Sequence, residues 1–217
     1  MNGIESLEVK YYNCLKTFIQ YIPICFIFLF ASCSSNEKSE TANEQKDLPD
    51  QFLVVLGTAQ DAGFPQIGCT NEYCAAYWDG IEEKKHVTSL ALVDRITNQY
   101  WLFEATPDIT AQLHSLQVYL TKKDYSPDGV FITHAHVGHY TGLMEFGREA
   151  MGAKEIPVYA MPRLDSFIRT NGPWSQLVTL KNISLQILKA DSAVAICSSF
   201  KVTPLKVPHR DEFSETV

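Results

Sequence analysis

Apolar and polar positions divide the chain into three stretches of different character. The first holds an apolar run at residues 22–31 (IPICFIFLFA), preceded by Lys10 and Lys16. Residues 34–50 (SSNEKSETANEQKDLPD) then have almost no apolar side chain, with five acids against two lysines. They have no face to bury and read as a solvated tether. From residue 51 short apolar runs alternate with amphipathic segments. Residues 52–56 (FLVVL) predict a buried strand that opens into a loop containing Gly63, Pro65 and Gly68. Residues 89–93 and 100–103 predict a hairpin that turns around Thr97 and Asn98. Pro107 suits the first turn of a helix through Ile109, Leu113 and Leu116, with Thr106 as its N-cap. Beyond it the pattern predicts strand at 129–133, helix at 142–151, strand at 156–160, helix at 162–170, and strands at 183–188 and 200–207.

A hairpin followed by alternating strands and helices predicts a layered α/β (α+β) domain with helices covering a sheet that begins antiparallel or mixed. No closing helix follows the last predicted strand, so the second half of the domain reads as truncated. Three segments result: 1–32, 33–50 and 51–217. A bilayer-spanning helix needs about 20 apolar residues, and the run of ten at 22–31 contains Pro23. The segment 1–32 therefore reads as a signal peptide rather than an anchor. Phe30, Ala31, Ser32 and Cys33 resemble a bacterial lipobox, in which Cys33 would become the lipidated first residue of a membrane-anchored protein of the cell envelope, periplasmic or on the outer surface. The alternative is an ordinary cleavage site beside an incidental thiol.

Composition narrows the function. With 46% hydrophobic and 20% charged residues the chain is globular rather than disordered or fibrous. A net charge of -7 and the lack of any Lys/Arg-rich run disfavour nucleic acid as a partner. The chemistry gathers elsewhere. Three of the six histidines lie in Thr-His-Ala-His-Val-Gly-His, residues 133–139, directly after the predicted strand 129–133. A strand end holds the backbone still while loop side chains converge, which is what a metal site needs. His134 and His136 can point the same way, and His139 can reach the same cavity from the next helix. His209 occupies a similar strand-end position later. His86, beside Glu83, Lys84 and Lys85, reads as solvated, and His114 as mid-helix packing.

Residues 133–139 with Thr141, Gly142 and Leu143 resemble the histidine motif of the metallo-β-lactamase-fold hydrolases, an αββα sandwich. Leu-Gly-Thr-Ala-Gln-Asp-Ala-Gly-Phe-Pro-Gln at 56–66, with Gly68 and Cys69, and Ala-Thr-Pro-Asp-Ile at 105–109 most resemble the coenzyme PQQ synthesis protein B branch. Phosphonate-pathway phosphodiesterases and tRNase Z are more distant relatives. The resemblance covers about residues 52–217.

The superfamily motif usually reads His-x-His-x-Asp-His, and here the Asp position is Gly138. The later bridging Asp and final His have no counterpart. The resemblance therefore implies one ion, with Gly138 and the truncation counting against a second. His134, His136 and His209 form a set that suits zinc with an open position, and His139 is a further ligand or a substrate contact. His139 and Asp108 are the candidate catalytic residues, and Glu104, Asp61 and Asp108 are candidates for orienting imidazoles. The implied activity is metal-dependent hydrolysis of an ester or phosphodiester, acting on a small-molecule substrate. The alternative is a non-hydrolytic metal- or cofactor-binding lipoprotein. Some relatives bind structural zinc through three closely spaced cysteines near Cys69 and Cys74. Here those two are compatible with such a site lacking its middle ligand, with a disulfide, or with free thiols. Cys197 has no evident partner.

Overall fold

The computed structural model describes residues 48–217. The segment 1–32 and residues 33–47 of the tether, with Cys33 and the apolar run, lie outside the described residues. Six strands form one mixed sheet in chain order: β1 (Gln51–Gly57), β2 (Ser89–Asp94), β3 (Gln99–Phe103), β4 (Gly129–Phe131), β5 (Ile156–Ala160) and β6 (Ile183–Ile187). Pairing is antiparallel from β1 to β3 and parallel from β3 to β6. Strands β1, β3 and β4 therefore all point the same way, and the loops leaving their carboxyl ends meet at one edge. A separate two-stranded sheet joins β7 (Val194–Ala195) and β8 (Lys201–Val202).

Side-chain alternation assigns the two faces. In β3, Tyr100 and Leu102 enter the main core, while Trp101 and Phe103 face the other way. The main face is covered by α2 (Ile109–Leu116), by the single turn α3 (Val137–Tyr140) with the 3₁₀ helix Thr141–Phe146, and by α4 (Pro162–Thr170) and α5 (Trp174–Thr179). Ile109, Leu113 and Leu116 fill it from α2, Leu164 and Ile168 from α4, and Leu177 from α5. On the opposite face Phe103, Phe131 and Tyr159 stack in a ladder across β3, β4 and β5, with ring centroids 5.3 and 4.3 Å apart. Val194, Phe200 and Val202 of the β7–β8 region pack against this second cluster.

Several expectations are corrected. The predicted strand 52–56 is an edge strand with Leu53 and Val55 exposed, and only Leu56 is buried. The helix predicted at 142–151 is a 3₁₀ helix that ends at Phe146, where Gly147 leaves helical geometry. The predicted strand 200–207 shrinks to Lys201–Val202, and His114 lies on the solvent side of α2 against Tyr125. Helix α1 (Glu72–Trp78) was not predicted. Its signal was Asn71, whose side chain accepts from the Cys74 N–H as an N-cap. Cys69 and Cys74 form a disulfide, and Cys197 is a half-buried free thiol.

Candidate metal centre

Four histidines meet at the carboxyl edge of β4. The strand stops at Phe131, and the extended residues after it carry His134 into a buried position. His136, still extended, precedes α3, and one helical turn brings His139 round to the same cavity. The turn is held against the loop after β3, since the Ala105 N–H donates to the His139 carbonyl and the Gly142 N–H to the Ala105 carbonyl. Contact there is so close that a Cβ on Gly142 would fall 2.1 Å from the Thr106 carbonyl oxygen. His209 arrives from the carboxyl-terminal segment. Its approach is fixed by the Ala135 N–H donating to Ser214 Oγ and by Arg163 Nη2, whose N–H groups donate to the Asp211 and Glu212 carbonyls.

Three of the imidazoles converge on one point. His136 Nδ1 is 2.9 Å from His134 Nε2 and 3.3 Å from His209 Nε2. The three ligand atoms all lie within 4.8 Å of one another. Nitrogens bound to one tetrahedral zinc at about 2.0–2.1 Å stand about 3.3 Å apart, so the spacing fits a shared ion. Protonation fits as well. Burial, and then the neighbouring His139, His136 and His209, push His134 down to about 4, leaving it neutral as a ligand must be.

The outward nitrogens have partners of their own. His134 Nδ1 is 2.8 Å from Thr133 Oγ1, and His136 Nε2, buried and without a hydrogen bond, is 3.5 Å from a Glu212 carboxylate oxygen. His139 lies between two carboxylates, with Nε2 2.9 Å from Asp61 Oδ1 and Nδ1 3.5 Å from Glu104 Oε1. Burial alone would lower His139, but Glu104 and Asp61 outweigh it and hold it above its ordinary value. Glu104 is itself buried and left-handed (φ 82°), and its Oε2 accepts from the Thr133 N–H. A non-glycine residue in that region marks a position that its surroundings dictate.

Of the residues singled out in the sequence, the structure gathers His134, His136, His139 and His209, with Asp61 and Glu104 beside them. Asp108 is placed differently. Its carboxylate pairs with Lys84, accepts from the Val87 N–H at 2.9 Å and is 3.6 Å from His86 Nδ1, so its contacts tie down the strand connection before β2. Thr133 and Glu212 were not recognised in the sequence. Thr133 could have been found as the hydroxyl adjoining the first motif histidine, whereas Glu212 depends on how the terminal segment folds back. The cleft in front of the histidines has a volume of about 750 Å³ and is lined by 58–64, Gln66, Lys85 and Arg210 as well as the four imidazoles.

A family profile described as the beta-lactamase superfamily domain matches residues 100–216, more than half of the chain, and the protein belongs to that family. Within it the chain is similar to proteins named coenzyme PQQ synthesis protein B. The protein of that name from Pseudomonas fluorescens (strain Pf0-1) is 28% identical over 176 residues, covering 73% of this chain and 56% of its own. Its namesake from Acinetobacter baylyi is 25% identical over 168 residues, covering 72% and 53%. The chain thus spans about half the length of the curated relatives it matches. Among solved structures, Zn²⁺-bound PqqB from Methylobacterium extorquens matches with a TM-score of 0.63 at 20% identity, over 76% of this chain and 56% of that one. A diphosphatase of the PhnP family matches with a TM-score of 0.52 at 22% identity, over 76% and 59%. These two likenesses speak for the fold.

Proposed function

We propose that the protein is a metal-dependent hydrolase that acts on a small ester or phosphodiester in the bacterial cell envelope. The observation that carries this reading is the convergence of His134, His136 and His209 nitrogens at the mouth of an open cleft. An ion held by these three supplies a Lewis acid that polarises a carbonyl or phosphoryl oxygen and lowers the pKa of its water to about 7. The chain's own groups do the rest. Thr133 and Glu212 fix the imidazole orientations from behind, and Glu104 steadies His139, which faces the cleft as a proton-carrying group. Lys85 and Arg210 line the same cleft and suit an anionic substrate group. Envelope placement is supported by the lipobox-like Cys33 and by the Cys69–Cys74 disulfide, since disulfides persist in oxidising compartments.

A second reading is a metal-binding protein without hydrolytic turnover, serving quinone-cofactor synthesis. The similarity to coenzyme PQQ synthesis protein B favours it, as does a glycine at motif position 138. One experiment separates the two: zinc affinity of the purified protein alongside turnover of generic phosphodiester, lactone and lactam substrates. His134→Ala, His136→Ala and His209→Ala should each weaken zinc by roughly tenfold or more and abolish turnover, while His86→Ala and His114→Ala retain both. Zinc binding with no turnover of any substrate class would favour the second reading. Equal zinc retention in His134→Ala and His86→Ala would remove the basis of both.

A further inference from the structure

His209 is the exposed member of the three-imidazole set. His134 is buried and His136 half-buried, so their surroundings hold them, whereas His209 has little packing of its own. Its place in the cluster must therefore come from the backbone that carries it. Residues 207–216 form a closed loop. The Val207 N–H donates to the Thr216 carbonyl at 3.1 Å, and Thr216 Oγ1 donates to Asp211 Oδ1 at 3.2 Å within it. With its ends tied, such a loop shifts as a unit and takes His209 with it.

The bonds that join this loop to the histidine motif lie on either side of His134. The Val217 N–H donates to the Thr133 carbonyl at 3.2 Å, and the Ala135 N–H donates to Ser214 Oγ at 2.8 Å. The Ala135 N–H makes no backbone hydrogen bond among the described residues, and Ala135 and Ser214 are only 6% and 3% exposed. Ala135 stands between His134 and His136, so the chain that Ser214 grips is the stretch joining two of the imidazoles. One hydroxyl, 79 residues away in sequence, thus connects that pair to the segment that brings the third. Arg163 holds the same loop to α4 from its exposed side.

We infer that Ser214 is a positioning residue for the metal centre, acting through His209 by setting its approach to the His134–His136 pair. This rests on the metal-centre reading above. The side chain suits the task, because a hydroxyl on a short stem offers an acceptor without adding a charge beside the imidazoles. It also takes up a buried N–H that is costly to leave without a partner. Once the hydroxyl is lost, the N–H regains a partner only if the loop shifts or water enters. Either alters the 3.3 Å spacing between His209 Nε2 and His136 Nδ1.

Zinc titration of the full chain against a competing chelator, arranged as a double-mutant cycle, tests the assignment. Ser214→Ala should weaken zinc by roughly tenfold, and cobalt(II) bound in place of zinc should lose intensity in its visible absorption as the ligand geometry opens. In a His209→Ala background the same change should alter zinc affinity by less than about twofold, because the imidazole through which Ser214 acts is gone. Should the alanine protein fail to fold, Ser214→Cys, similar in shape with a weak sulfur acceptor, takes its place in the cycle with the same direction of change expected. Zinc affinity equal to the wild type in the Ser214 variant, or an equal loss in both backgrounds, overturns the assignment and leaves the three-histidine reading intact, since a hydroxyl that only supports the fold weakens the site with or without His209. A wild type that binds no zinc overturns both.

Discussion

Gly138→Ala measures how closely the β1 loop presses on the histidine motif. The single methyl group meets Asp61 backbone at 2.5 Å, so either the loop or α3 must shift. Overpacking of this kind costs about 1–3 kcal/mol, read as a lowered urea midpoint with an unchanged slope. An unaltered midpoint would mean that the loop yields freely and that the two segments are not locked together. At this scale the sequence was informative about type and silent about partners. The histidines of 133–139 announce a metal site because three imidazoles in six positions at a strand end have few other uses. That Asp61 lies on Gly138 depends on a contact between residues 77 apart in the chain, which no local pattern encodes.

Among elements, the connection between β1 and β2 is held to the start of α2 by one carboxylate. Asp108, at the N-cap position of α2, receives Lys84 and the Val87 N–H. Burial pushes its carboxyl up, but these bonds outweigh burial and hold it below its ordinary value of 3.8. A carboxyl whose pKa is depressed on folding stabilises the fold above its unfolded pKa, and the benefit is lost as pH falls through the lowered value. The stability gap between wild type and Asp108→Asn should therefore be widest near about pH 6 and narrow towards about pH 3, as followed by urea unfolding. A gap constant across that range would show that the charge of Asp108 is immaterial. Regular elements were legible where periodicity and packing agree, as in β5 and α4, whose predicted and observed bounds coincide. They were not legible where tertiary context decides. FLVVL reads as a fully buried strand by composition, yet β1 has a neighbour on one side only, and its outward Leu53 and Val55 stay uncovered.

For the whole molecule, envelope anchoring remains a proposal read from residues outside the described part. Cys33→Ala should move the protein from the membrane fraction to the soluble one without altering zinc affinity. An unmodified Cys33 recovered by mass spectrometry within a longer amino-terminal peptide would eliminate the lipid anchor. The layered architecture was foreseeable from the alternation of strands and helices, whereas the thin cover that β7 and β8 give the second sheet face was not, because residues 200–207 alternate well enough to pass for a longer strand.

The manner in which the cleft is assembled bears on the order in which the chain must fold. His139 meets Asp61 across 78 residues and His136 meets His209 across 73, and the Val217 N–H donates back to the Thr133 carbonyl. Closing loops of that length carries an entropic penalty that grows with the logarithm of their span, and contacts so distant in sequence form slowly. No fragment containing only the histidine motif can therefore display the site. The imidazoles and the carboxylate come together once the sheet has brought the ends of β1 and β4 to one edge and the segment around His209 has docked across them. Binding competence is thus a late event of folding, and it is forfeited when the segment carrying His209 lifts away.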